Sequence, residues 1–409
     1  MKKETNNKKI ELLAPAGNME KFFTALHFGA DAVYLSGKQF GLRAFADNFD
    51  NEQIKFCCDY AHKLNKKVYV TVNIFAKNDD FLFLKDYLVF LEQSGVDAAI
   101  VSDVGVIAFA QKVAPKLSLH LSTQSNTLNK HAVDFWNKQG IDRVILAREC
   151  SFSDIAEICK EVPNCELEMF VHGAMCISYS GRCLLSNYLT GRDSNRGECV
   201  QACRWSWIIT EAMHDENPFL VKQDERGTYI FNSKDLNLIE HIKPLIECGV
   251  KSFKIEGRMK SINYVATVVN AYRRAIDGYY IEPDNYFVDE QLKKELFKTA
   301  HREFTSGFVF DDKSVKQNYV TSKAEAEGEF IAVVKEWQEG VLTVEMRNRF
   351  KEGDTVEILS NNNSFNKQFT IKNLRDEFDA PVNDAKRVQQ ILKMDCSFPL
   401  SRYDILRSC

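Results

Sequence analysis

The chain has 409 residues, 45% of them hydrophobic, enough to bury the cores of two or three domains. Its 53 Lys and Arg against 57 Asp and Glu leave a formal net charge of -4, which excludes a polybasic binder and requires any nucleic-acid partner to be held by local patches. No apolar run approaches the ~18 residues of a membrane helix, and the opening MKKETNNKKIELL carries no apolar signal-peptide core, so the sequence predicts a cytoplasmic protein with no membrane partner.

Short β-like runs alternating with amphipathic helical patterns fill the first two thirds. The predicted strands are residues 10–17, 31–37, 67–75, 97–103, 118–126, 142–149, 166–174 and 251–258. The helical segments between them often close on a glycine, as in FLFLKDYLVFLEQSG. Eight βα units and a final helix, SINYVATVVNAYRRAIDG, predict a TIM-type (β/α)8 barrel, so the α/β class is expected; an open doubly wound sheet is the other arrangement this periodicity allows. A long interruption after strand seven, about residues 175–231, is read as a cysteine-rich insertion within a barrel spanning 1–280. Residues 281–327 read as a helical connector. From 328 to 409 the pattern changes to alternating runs such as EFIAVVKEW, VLTVEMRN, DTVEILS, NKQFTIKNL and YDILRS, separated by QEG, KEGD and NNN, which predicts a small C-terminal all-β barrel.

Barrel chemistry belongs at the C-terminal ends of the strands, where this sequence is polar. Arg148, His172 and Glu256, at the ends of strands six, seven and eight, are the catalytic candidates. Arg43, Lys234, Lys254 and Arg258, with Arg148, are the cations that barrel position places there, and the plain role for each is an ion pair with Glu149, Asp235 or Glu256. Arg182, Arg192, Arg196 and Arg204, with Tyr179, Tyr188, Trp205 and Trp207, form a set of cations and aromatic rings in the stretch after strand seven.

Four of the 12 cysteines, Cys176, Cys183, Cys199 and Cys203, crowd one polar stretch with the spacing C-x6-C-x15-C-x3-C. Thiolates converging at one end of a barrel make a metal site, an iron-sulfur cluster or zinc; the single tight pair tilts the spacing toward the cluster, because structural zinc favours paired knuckles. The other eight suit small buried hydrophobes.

The run ELEMFVHGAMCISYSGRCLLSNY, followed by RGECVQACRW, FNSKDL, KSFKIEGRMKS and HREFTSGF, closely resembles the signature of the collagenase-like peptidase family U32. Within that family the likeness is strongest to members that support conversion of a tRNA wobble uridine to 5-hydroxyuridine. The resemblance implies a barrel with a C-terminal β-barrel and a 4Fe-4S cluster on Cys176, Cys183, Cys199 and Cys203. It further implies prephenate, a small dicarboxylate, as hydroxyl donor, which Arg43, Arg148, Lys234, Lys254 and Arg258 would hold, and the tRNA anticodon loop as partner, which Arg182, Arg192, Arg196 and Arg204 would contact with Tyr179, Tyr188, Trp205 and Trp207 for stacking. The family name also implies peptide hydrolysis, yet the sequence holds no H-E-x-x-H helix and no G-x-S-x-G elbow, leaving His172 with Cys176 as the pair for that activity. A non-catalytic tRNA-binding scaffold is the third expectation.

Overall fold

In the strands of the first domain both alternating faces are apolar, as a sheet covered on two sides requires. The computed structural model describes residues 9–42, 47–176, 178–204, 223–224, 227–228, 234–310 and 328–408. Strands β1 (Glu11–Pro15), β2 (Ala32–Ser36), β3 (Lys67–Val72), β4 (Ala98–Val101), β5 (Leu119–Leu121), β6 (Arg143–Ile145) and β7 (Glu166–Ala174) pair in parallel, each with the next. After a short strand β8 (Asp235–Asn237), β9 (Ser252–Ile255) pairs in parallel with both β7 and β1. That double pairing closes an eight-stranded parallel barrel, as the sequence predicts, and excludes the open sheet.

Leu13, Tyr34, Tyr69, Ile100 and Ile145 form a small cluster inside the barrel, while their sequence neighbours Leu12, Val33, Val68, Val101 and Val144 belong to the large cluster under the helices. The helices start where the sequence supplies a cap. Asn18, Asp50, Asp103 and Ser151 each accept a hydrogen bond from the backbone N–H three residues on. Toward its N-terminal end the barrel interior is charged. Arg143 binds Glu11 Oε1 (2.5 Å), Glu166 Oε2 (2.6 Å) and Glu168 Oε2 (3.2 Å), and Lys254 Nζ binds Glu168 Oε1 (2.7 Å).

Strand β8 was not anticipated. It folds back antiparallel onto the end of β7, pairing Leu236 with Gly173, and a two-residue strand, Phe304–Thr305, extends it in parallel. Gly173 has φ +108°, and a Cβ there would lie 2.7 Å from the carbonyl oxygen of Glu256, so glycine is required where three strands meet. The expected connector is only partly helical where it is described: Glu290–Glu295 and a turn at Leu296–Lys298 precede Phe304–Thr305.

Residues 328–408 form an antiparallel all-β unit around its own apolar cluster, including Val334, Val344, Ile358, Leu392 and Leu406. In sheet order its strands are Gln368–Thr370, Thr355–Leu359, Ile405–Ser408, Phe330–Gln338, Val341–Met346, Ile391–Asp395 and Arg375–Asp376. Among the described residues the two edge strands do not pair, so the all-β reading holds as a half-barrel. Arg407, fully buried, joins the unit to the connector through Glu295 (2.8 Å) and also pairs within the unit with Glu357 (2.6 Å).

Candidate functional site

A cavity of about 180 Å³ opens at the C-terminal mouth of the barrel. Its barrel wall carries Tyr34, Thr71, Asn73, Gln124, Arg148, Phe170, Lys254, Glu256 and Arg258; its outer wall carries Cys176, Cys183, Cys199 and Cys203. All four clustered cysteines therefore face one space together with Arg148, Glu256, Lys254 and Arg258.

The cysteine segment is tied to three barrel loops. Glu149 accepts from Ser180 N (2.8 Å) and Ser180 Oγ (2.5 Å), fixing a turn in which Ser180 holds φ 43°. Arg182 Nε donates to the Gln124 carbonyl (2.7 Å), and Arg196 grips Asp80 with two nitrogens (2.8 and 3.0 Å) while donating to the Phe75 carbonyl (2.7 Å). Arg196 is thus a structural clamp between the insertion and the loop after β3, which corrects its expected role as an RNA contact: its fork is already filled by a carboxylate. Arg192 is exposed, and Tyr179 is half exposed, as surface contacts must be.

The thiols have surroundings suited to sulfur ligation. Burial pushes the Cys176 thiol up, Arg148 nearby pulls it down, and Cys183 and Cys199 add repulsion. The backbone N–H of Gln201 points at Cys199 Sγ (3.4 Å), the type of hydrogen bond that tunes a metal-bound thiolate. Among the described residues no three His, Cys, Asp or Glu side chains converge as the ligands of a single ion would. The fit to a larger group rests on donor chemistry: four soft sulfur donors lining one cavity, of the kind that selects iron-sulfur clusters or zinc.

Among the cations, Arg148 makes no ion pair with any described residue, and its guanidinium lies 4.1 Å from the Phe170 ring centroid. The expected competitor Glu149 is engaged by Ser180 instead. Lys254 lines the cavity but is neutralised by Glu168, not by Glu256; both side chains are almost fully buried, and burial lowers the lysine pKa. This corrects Lys254 as a substrate-binding cation. Arg258 donates to the Leu42 carbonyl and lines the cavity. Lys234 is ion-paired with Glu303 and is not part of the cavity wall, a second correction.

His172 is also corrected. It is 1% exposed, packed against Tyr264, Tyr272 and Phe304, absent from the cavity wall, and held by burial at a pKa of about 3. A register shift in β7, where Lys254 pairs with Phe170 but Ile255 pairs with His172, breaks the two-residue alternation and turns His172 away from the cavity that Phe170, Ala174 and Cys176 line, so it cannot serve as that thiol's base. Arg43, Trp205, Trp207 and the side chains of Tyr188 and Arg204 lie outside the described residues. Sequence reasoning passed over Thr71, Asn73 and Gln124 as site residues; their only signal was polarity at the ends of strands three and five.

Residues 17–319 match the profile of peptidase family U32, and residues 327–407 match the family's C-terminal domain. The chain belongs to peptidase family U32. Among U32 relatives, it is 43% identical over 394 residues to tRNA hydroxylation protein P1 of Bacillus subtilis, covering 96% of this chain and 93% of that one. It is 36% identical to tRNA hydroxylation protein P of Escherichia coli, covering 90% and 89%. The 23S rRNA 5-hydroxycytidine C2501 synthase of Escherichia coli is 34% identical over 74% of this chain and 45% of its own length. The U32 chain described here has no helix, among the described residues, long and apolar enough to cross a membrane.

Proposed function

We propose that this protein hydroxylates C5 of a pyrimidine in RNA, with the wobble uridine in a tRNA anticodon loop as substrate and prephenate as hydroxyl source. The observation that carries the reading is the one cavity shared by four cysteines and by Arg148, which has no ion pair among the described residues, in a chain whose relatives are named for RNA hydroxylation. Replacing C5–H by C5–OH is a two-electron oxidation of the base, so the compound that gives the oxygen must accept two electrons. A 4Fe-4S cluster, when bound, supplies one-electron chemistry. Cys176, Cys183, Cys199 and Cys203 would hold it.

The chain's own residues bind and orient. Arg148 anchors a carboxylate of the donor by charge-assisted hydrogen bonds, and Phe170 fixes the plane of that guanidinium. Glu256, the carboxylate that lines the cavity among the described residues, would take a proton from the reacting base. Exposed Arg182 and Arg192 with Tyr179 form the rim that would meet the anticodon loop. Hydrolysis of peptides finds no support, since its proposed base, His172, is sealed in the core.

The test is mass spectrometry of tRNA nucleosides from cells lacking the protein. Loss of 5-hydroxyuridine derivatives, restored by the wild-type chain and not by Cys176→Ser, is the expected result. Unchanged 5-hydroxyuridine overturns the reading.

A further inference from the structure

One polar network in the cavity wall has its orientation fixed by an unambiguous donor. The backbone N–H of Leu42 can only donate, and it does so to Asn73 Oδ1 (3.2 Å). Asn73 therefore presents its Nδ2 to the next amide, Gln124 Oε1, at 2.7 Å. Ser122 Oγ also donates to that oxygen (3.2 Å). The amide of Gln124 is thus set: its oxygen is committed to Asn73 and Ser122, and its Nε2, with two N–H donors, has no acceptor among the described residues. Gln124 is 3% exposed, so that nitrogen meets little bulk water.

Thr71 is in the same condition. It is 5% exposed, and its Oγ1 has no partner among the described residues. Both side chains line the same cavity as Arg148. Buried donors left unmatched are costly, and their concentration in the wall of a cavity marks groups that a ligand satisfies.

We propose that Gln124, assisted by Thr71, is a specificity-determining pair that receives a second oxygen of the small molecule anchored by Arg148. The ligand class is a small organic acid carrying two oxygen acceptors, one carboxylate for Arg148 and a carboxylate or carbonyl for Gln124. This rests on the donor reading above and adds to it the residues that distinguish such an acid from one with a single anchor. Asn73 and Ser122 are positioning residues: they hold the amide with its nitrogen toward the ligand.

Isothermal titration of the intact, anaerobically purified protein with prephenate tests this, with absorbance and thermal melting recorded for each variant. Gln124→Met should weaken binding about ten- to hundredfold, the loss of one hydrogen bond to a charged group. Gln124→Glu is the sharper variant. It keeps an oxygen for Asn73 and Ser122, so a purely structural role places it nearer to wild type than Gln124→Met. A ligand-binding role places it further away, because a carboxylate then faces the anion. The expected affinity order is wild type, Gln124→Met, Gln124→Glu. Should the Met variant fail to fold, Thr71→Val, nearly equal in volume, carries the test with an expected loss of about tenfold. Unaltered prephenate affinity in the Gln124 variants, with binding lost in Arg148→Ala, overturns this inference and leaves the donor reading standing. Gln124 variants that weaken an anticodon stem-loop and spare prephenate overturn it in favour of base recognition. No prephenate binding by wild type removes the donor reading itself, and this inference with it.

Discussion

Glu168→Gln tests the charged interior of the barrel. Glu168 is fully buried, accepts from Lys254 Nζ at 2.7 Å and Arg143 at 3.2 Å, and has almost the same volume as glutamine. Arg143 keeps Glu11 and Glu166 after the change, so the cost falls on Lys254, which loses its counter-charge and keeps a neutral amide oxygen and the faces of Tyr34 (4.5 Å) and Phe170 (5.4 Å). Breaking a buried pair from one side costs about 3 to 5 kcal/mol. The lysine can escape by losing its proton, and this sets a ceiling. From an ordinary pKa near 10.4, neutralisation at pH 7 costs about 1.4 kcal/mol per unit, roughly 4 to 5 kcal/mol in all. The ceiling falls to about 2 kcal/mol at pH 9.

Urea unfolding should therefore show a loss of about 3 to 5 kcal/mol at pH 7 that narrows to about 2 at pH 9. The double variant Glu168→Leu with Lys254→Met should recover most of the loss, because no charge is stranded. A loss below about 1 kcal/mol at pH 7, or one that does not narrow at pH 9, refutes the reasoning.

Anaerobically purified protein should be brown with about four irons per chain, and Cys176→Ser or Cys183→Ser should bleach it; a colourless protein with one zinc per chain decides for the other metal. In filter-binding assays against salt, Arg192→Ala should lower the logarithmic slope for an anticodon stem-loop by about 0.7, the value for one phosphate contact, while Arg196→Ala should leave that slope unchanged because its fork is held by Asp80. Equal reductions in both variants contradict the clamp. His172 is neutral in the fold, and burial pushes its pKa down to about 3, so the unfolded chain takes up a proton first: stability from this group is complete above about pH 6.5 and declines as pH falls toward 3. The urea midpoint of His172→Phe should decline less than that of wild type between pH 7 and 5, and parallel curves would show that the histidine does not contribute.

Much of the architecture was legible because it depends on local pattern. Apolar runs bounded by caps and glycines located all eight barrel strands to within a few residues of their ends, and C-x6-C-x15-C-x3-C located the segment that walls the cavity. The strand Ile391–Asp395 escaped notice although its Leu392 and Met394 alternate with polar residues; five residues beside several turns gave too short a period to stand out. Strand β8 had no such signal, since Asp235–Asn237 owes its conformation to pairing with β7.

Pairing between residues distant in sequence was decided only in three dimensions. Lys254 lies two residues from Glu256 but 86 from Glu168, and the barrel register puts the distant carboxylate at 2.7 Å. Arg196 looked like one of four equivalent arginines until the fold brought Asp80 to it across 116 residues. His172 and Cys176, four apart in the chain, would share a face in a regular strand; the register shift in β7 opposite Lys254 and Ile255 buries the first in the core and leaves the second at the cavity. Composition and periodicity report which residues are buried and which can bear chemistry; whether a charge or a buried amide finds a partner, as Lys254 does and as Arg148 and Gln124 Nε2 do not among the described residues, is set by strand register and barrel closure, to which no local window of sequence is sensitive.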